Sequence, residues 1–103
     1  DEVLEYGRKA LEFRKKVLGE KHPDFATDFN NLGAIQLKLG LFAEGLQSYQ
    51  QALEIKRNAL GEENSVLAVE YINVGKCFSC LDRHQEALEA YNKALELRIK
   101  HFG

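Results

Sequence analysis

Cys77 and Cys80 form a Cys-x-x-Cys pair, a spacing that can hold a zinc ion or cycle a disulfide. Zinc wants four ligands, and only His84 lies nearby in sequence. A redox pair draws its low thiol pKa from a helix amino-terminus. The apolar spacing around these cysteines places them in the second half of a helix, where the dipole works against a thiolate. They read as free thiols, buried or lining a groove. His22, His84 and His101 fall at helix ends, where capping or solvent contact accounts for them. No nucleophile elbow, phosphate loop, His-Glu-x-x-His or carboxylate pair with a plausible cleft occurs. The expectation is a protein with no catalytic site, no metal and no cofactor.

The elements that carry these residues follow from composition and spacing. With 103 residues, 45% of them hydrophobic, the chain has enough apolar content for one folded unit. Its 14 basic and 16 acidic residues leave a net charge of -2, which provides no overall field to hold nucleic acid. No apolar run approaches the roughly 20 residues that cross a bilayer. Two free cysteines fit a reducing, cytoplasmic setting. The start at Asp1 and the lack of methionine are read as signs of a fragment from a longer protein.

Self-similarity is the main signal. Leu18-Gly19-Glu20 returns 42 residues later as Leu60-Gly61-Glu62, Asn31-Leu32-Gly33 as Asn73-Val74-Gly75, and Tyr49 as Tyr91. Ala10-Leu11-Glu12 returns as Ala52-Leu53-Glu54 and again as Ala94-Leu95-Glu96. Residues 22–61 and 64–103 share 11 of 40 positions, several times what unrelated sequences of this composition would share. Within each unit the apolar residues keep helical spacing. Phe25, Phe29, Leu32 and Leu39 mark one first helix, and Leu67, Tyr71, Val74, Phe78 and Leu81 mark the next. Phe42, Leu46, Tyr49, Leu53 and Leu60, then Leu88, Tyr91, Leu95 and Phe102, mark the second helices, while Leu4, Leu11 and Leu18 mark an unpaired one at the start. Gly19, Gly61 and Gly103 stop helices, His22-Pro23-Asp24 and Asn64-Ser65 restart them, and Gly40 and Asp82 turn the chain inside each pair. Helices are predicted over 1–18, 24–39, 42–60, 65–81 and 84–101, with no strands. The organisation is a single all-α segment: 1–19 as the second helix of a partial repeat, then repeats over 22–61 and 64–103.

Phe29, Leu32, Gly33, Tyr49 and Ala52, and then Tyr71, Val74, Gly75, Phe78, Ala87, Tyr91 and Ala94, resemble the signature of the tetratricopeptide repeat. The resemblance covers the whole chain and implies an α-solenoid of antiparallel helix pairs. The usual period is about 34. The longer one here, with Asn-Leu-Gly, Ala-Leu-Glu and Leu-Gly-Glu before His-Pro, is similar to the repeats of kinesin light chains and their relatives. Two positions depart from the pattern: Gly45 replaces an alanine, and Gly7 stands where an aromatic would be. HEAT-type repeats have a similar period but lack this Leu-Gly and Tyr-Ala spacing.

In such a solenoid the first helices line a concave groove that takes an extended or helical peptide. The residues one step off the buried stripe are Thr27, Asn30, Asn31, Ala34 and Lys38, then Val69, Ile72, Asn73, Lys76 and Cys80. Asn31 and Asn73 share a phase, so their amides can form a ladder along a ligand backbone; the alternative is that each bonds a neighbouring helix. The resemblance to kinesin light chains implies the first role. Lys38 and Lys76 add positive charge that favours a partly acidic peptide. The carboxylate clamp of chaperone-binding relatives is not expected, because Thr27, Asn30, Ala34 and Val69 occupy much of its place. Function is therefore read as a non-catalytic scaffold or cargo adaptor for a protein or peptide partner, with no nucleic acid and no membrane insertion. The alternative is a homo-oligomer packing end to end through exposed terminal helices.

Overall fold

The computed structural model describes residues 2–18 and 24–102, so Gly19, His22, Pro23 and Gly103, assigned above to stops and restarts, lie outside the described residues. Five helices follow one another: α1 (Glu2–Leu18), α2 (Asp24–Lys38), α3 (Phe42–Leu60), α4 (Leu67–Cys80) and α5 (His84–Phe102). Among the described residues there is no strand. Helix α2 pairs with α3, α4 pairs with α5, and α1·α2 and α3·α4 join the pairs. Each helix thus packs chiefly on its neighbours in the chain, as in a helical repeat solenoid, within extents of 41 × 30 × 16 Å.

The two intra-pair turns use positive φ, at Gly40 (79°) and at Asp82 (60°), the latter one of the few non-glycine types that tolerate this conformation. Helix α4 starts two residues later than its predicted start at 65. The Asn64 side chain accepts the Val66 N–H at 2.9 Å, and the carbonyls of Asn64 and Ser65 accept from Leu67 and Ala68. Asn64 therefore holds a turn ahead of the helix.

Helix α3 divides two cores. Ala52 packs with Leu4, Leu11, Phe25, Ala26, Phe29 and Leu32, whereas Leu46, Tyr49 and Leu53 pack with Leu67, Val74, Cys77 and Phe78. The faces inside each pair are small: Gly45, Ser48 and Ala52 on α3, and Ala87, Ala90 and Ala94 on α5. Close approach also needs the glycines of the first helices. A Cβ at Gly33 would lie 3.1 Å from the Tyr49 ring, and one at Gly75 only 2.8 Å from the Tyr91 ring. Gly45 is less confined, since an added Cβ would meet the Gly33 carbonyl oxygen at 3.4 Å. At Gly7 an added Cβ would make ordinary contact with Leu32 at 3.6 Å.

Part of the predicted apolar striping faces outward. Leu39, Leu60, Leu88, Tyr91, Leu95 and Phe102 are exposed, and α5 buries Ala87, Ala90, Ala94 and Leu97 instead. The reason is positional: in α3 the residues Leu46, Tyr49 and Leu53 are covered by α4, and no described helix covers their counterparts on α5. The α3–α4 connection is also tied to α5. Lys100 reaches Glu63, in the α3–α4 connection, at 2.9 Å, while the i,i+4 pair among the described residues is Glu5 with Lys9 at 3.9 Å.

Candidate functional site

The first helices α2 and α4 are tied together by side chains. Asn30 Nδ2 on α2 donates to Glu70 Oε1 on α4 at 2.8 Å, and Lys56 Nζ of α3 reaches the same oxygen at 2.9 Å. Glu70 is 1% exposed, so a buried carboxylate is held by an amide and an ammonium from two other helices. Among the described residues, its Oε2 and the Asn30 Oδ1 are buried with no hydrogen-bond partner. The contact fixes how one helix pair sits on the next.

That bond settles the position of Asn30: half-buried, with its amide nitrogen committed to Glu70. The other predicted residues stand elsewhere on the same two helices. Asn31, Ala34 and Lys38 are exposed at spacings of three and four, which is one face of α2. Asn73 is half-buried and Lys76 exposed, one turn apart on α4. Neither the Asn31 nor the Asn73 amide bonds another described residue.

Glu70 was not legible as a site residue, although one signal was present. Asp28 stands 42 positions before it, and Arg14, Lys56 and Arg98 recur at the same step, so acid and base keep a fixed phase in an otherwise apolar register.

Cys77 is buried and its thiol is pushed up to about 11 by burial, with Cys80 adding to the shift; Cys80 itself is exposed. This is the opposite of what a nucleophilic thiol needs. Among the described residues no three His, Cys, Asp or Glu side chains gather as a metal site requires. A cleft of about 250 Å³ between α3, α4 and α5 has Leu53, Tyr71, Val74 and Phe78 in its lining, with Gln50, Glu86 and Glu89. It contains none of the predicted site residues. Glu86 there is held below the usual carboxylate range by Arg83, which grips it at 2.6 and 2.7 Å and lies over the Phe78 ring.

A family model described as tetratricopeptide repeat matches residues 24–100, and a second of the same description matches residues 1–24. The chain belongs to the tetratricopeptide repeat family. No curated protein matches it. Tetratricopeptide repeats are generally protein–protein interaction modules without catalysis, and α2 with α3 and α4 with α5 supply the helix pairs on which such modules are built. No described helix of this tetratricopeptide chain is long and apolar enough to cross a membrane.

Proposed function

We propose that this tetratricopeptide segment binds a short peptide of a partner protein along the exposed faces of α2 and α4. Asn31 and Asn73 bond the peptide backbone, and Lys38 and Lys76 favour acidic residues in it. The observation that carries this reading is that Asn31 and Asn73, one repeat apart, keep amides unbonded to any described residue on neighbouring first helices. Asn30 contributes indirectly, by holding Glu70 and with it the spacing of the two helices. The division into a partial repeat over 1–19 and repeats over 22–61 and 64–103 belongs to the same reading, as does a cargo-adaptor role like that of kinesin light chains, supported by the 42-residue period. Free Cys77 and Cys80 support a cytoplasmic setting.

Selection of a peptide library against the chain, followed by titration of the best binder into Asn31→Ala and Asn73→Ala, tests the ladder. Each substitution is expected to weaken binding by about tenfold, the loss of one or two backbone hydrogen bonds. Unchanged affinity in both would remove the ladder.

A further inference from the structure

The cleft of about 250 Å³ between α3, α4 and α5 lies on the far side of α4 from Asn73. Tyr71, Val74 and Phe78, at spacings of three and four, carry one face of α4 into it, whereas Asn73 and Lys76 stand on the opposite face. On α5 the lining residues Glu86, Glu89 and Ala90 are likewise turned away from the exposed Leu88, Tyr91 and Leu95. The cleft is thus enclosed by one helix pair and the helix before it, and its make-up does not depend on what adjoins α5. Its size is below that of a usual cofactor site and suits one long side chain.

The chain itself shows which side chain such a rim suits. Arg83 lays its guanidinium over the Phe78 ring, 4.8 Å from the centroid, and grips Glu86 through Nε and Nη2 at 2.7 and 2.6 Å. An aromatic ring below and a carboxylate at the edge favour a planar, weakly hydrated cation with a forked set of donors. The same two elements occur again one turn along. Glu89 stands three residues after Glu86 on the same face of α5, and Tyr71 lines the cleft from α4. Lys93, at the i,i+4 spacing that would suit Glu89, is turned to Glu63 at 3.9 Å instead. Glu89 bonds no described residue, so the rim carries one carboxylate more than it has cations: Arg83 balances Glu86 alone. Beneath that rim, Leu53, Val74 and Ala90 form a buried apolar floor.

We propose that this cleft takes an arginine side chain from a peptide segment of a partner protein. The stem lies on Leu53 and Val74, and the guanidinium bonds Glu89, with the Tyr71 ring and the Gln50 carboxamide oxygen beside it. Lysine is the poorer guest, because its compact ammonium holds water more strongly and lacks a planar fork to meet two acceptors at once. The site adds a basic determinant behind α4 to the acidic one proposed in front of it, and Asn73 takes no part.

The probes are capped pentapeptides with a central arginine, lysine or citrulline among alanines, titrated into the intact isotope-labelled chain and followed by amide and methyl resonances. The arginine peptide is expected to give saturable shifts centred on Leu53, Tyr71, Val74 and Ala90. The lysine peptide should bind about threefold more weakly, and the citrulline peptide, which keeps the shape without the charge, about tenfold. Glu89→Gln, a change at an exposed position, should weaken arginine binding by about tenfold. Gln50→Glu in that background should restore most of it, since the carboxylate then comes from the opposite wall. Glu12→Gln on α1 makes the same change in net charge and should leave the affinity as it is. Shifts that do not saturate, equal losses in Glu89→Gln and Glu12→Gln, or lysine or citrulline binding as well as arginine would overturn the proposal. So would cleft shifts that appear on concentrating the chain without peptide, for the guest would then be a second copy. Asn73→Ala separates this site from the asparagine ladder, because it should weaken the ladder's peptide and leave the arginine peptide unaffected.

Discussion

Asn30 and Glu70 lie 40 positions apart in the chain, yet the amide nitrogen of one donates to the carboxylate of the other at 2.8 Å. This bond crosses from one first helix to the next and, with Lys56, gives the stack of helix pairs a charged and directional contact amid apolar packing.

A buried carboxylate that loses its cation is costly. Lys56→Met leaves Glu70 with Asn30 alone and is expected to lower stability by about 3 kcal/mol. Adding Glu70→Leu to that background should restore most of the loss, because an apolar pair of similar volume replaces the ion pair. Urea unfolding of both single variants and the double variant closes the cycle. Equal stability of the Lys56→Met and unmodified chains would show that the pair is not coupled.

The two first-helix glycines predict opposite rankings by distance and by freedom to yield. An added Cβ would come closer to its aromatic ring at Gly75 than at Gly33. Tyr91, however, is 38% exposed and can swing outward, while Tyr49 is 6% exposed and wedged among α2, α3 and α4. Gly33→Ala should therefore cost about 2–3 kcal/mol and Gly75→Ala clearly less. Thermal unfolding of the two variants decides between the rankings.

Gly45 lies in the interior of α3, and an alanine there would meet its nearest neighbour at 3.4 Å. That is ordinary contact, and Ala87 fills the matching place in α5. Gly45→Ala is expected to raise stability by up to about 1 kcal/mol through helix propensity and a less flexible unfolded chain. A loss of stability on chemical denaturation would mean that the pair cannot give at that point.

Glu63 has its pKa lowered by the hydrogen bond and charge of Lys100, with Lys93 assisting. A carboxylate whose folded pKa is depressed adds stability above its unfolded pKa, and that stability is lost as the pH falls through the folded value. Glu63→Gln should accordingly lower the unfolding midpoint slightly at neutral pH and not at all near pH 2, with the gap also shrinking in high salt. A gap that persisted in acid would place its cause outside the ion pair.

Helix positions and turns were legible in the residues because their causes are local. Gly40 and Asp82 stand where the chain must adopt positive φ, and the spacing of Phe25, Phe29 and Leu32 follows from 3.6 residues per turn. The outward turn of Leu88, Tyr91 and Leu95 was not legible, since a stripe built to be covered reads the same whether or not its cover is present. Glu70 escaped for a related reason: an acid one step off an apolar stripe looks solvated until the third helix that buries it is in place. At the candidate site, the shared phase of Asn31 and Asn73 was visible in the repeat, but the commitment of Asn30 to Glu70 depends on how two repeats are staggered. No single repeat contains that information.

Because the helices pack chiefly on their chain neighbours, tension applied between the two ends has no long-range clasp to break first. Pulling would peel the assembly one hairpin at a time and allow it to recoil in the same increments. A guest lying across α2 and α4 would act as a splint on the seam it spans, so occupancy would be felt as stiffness.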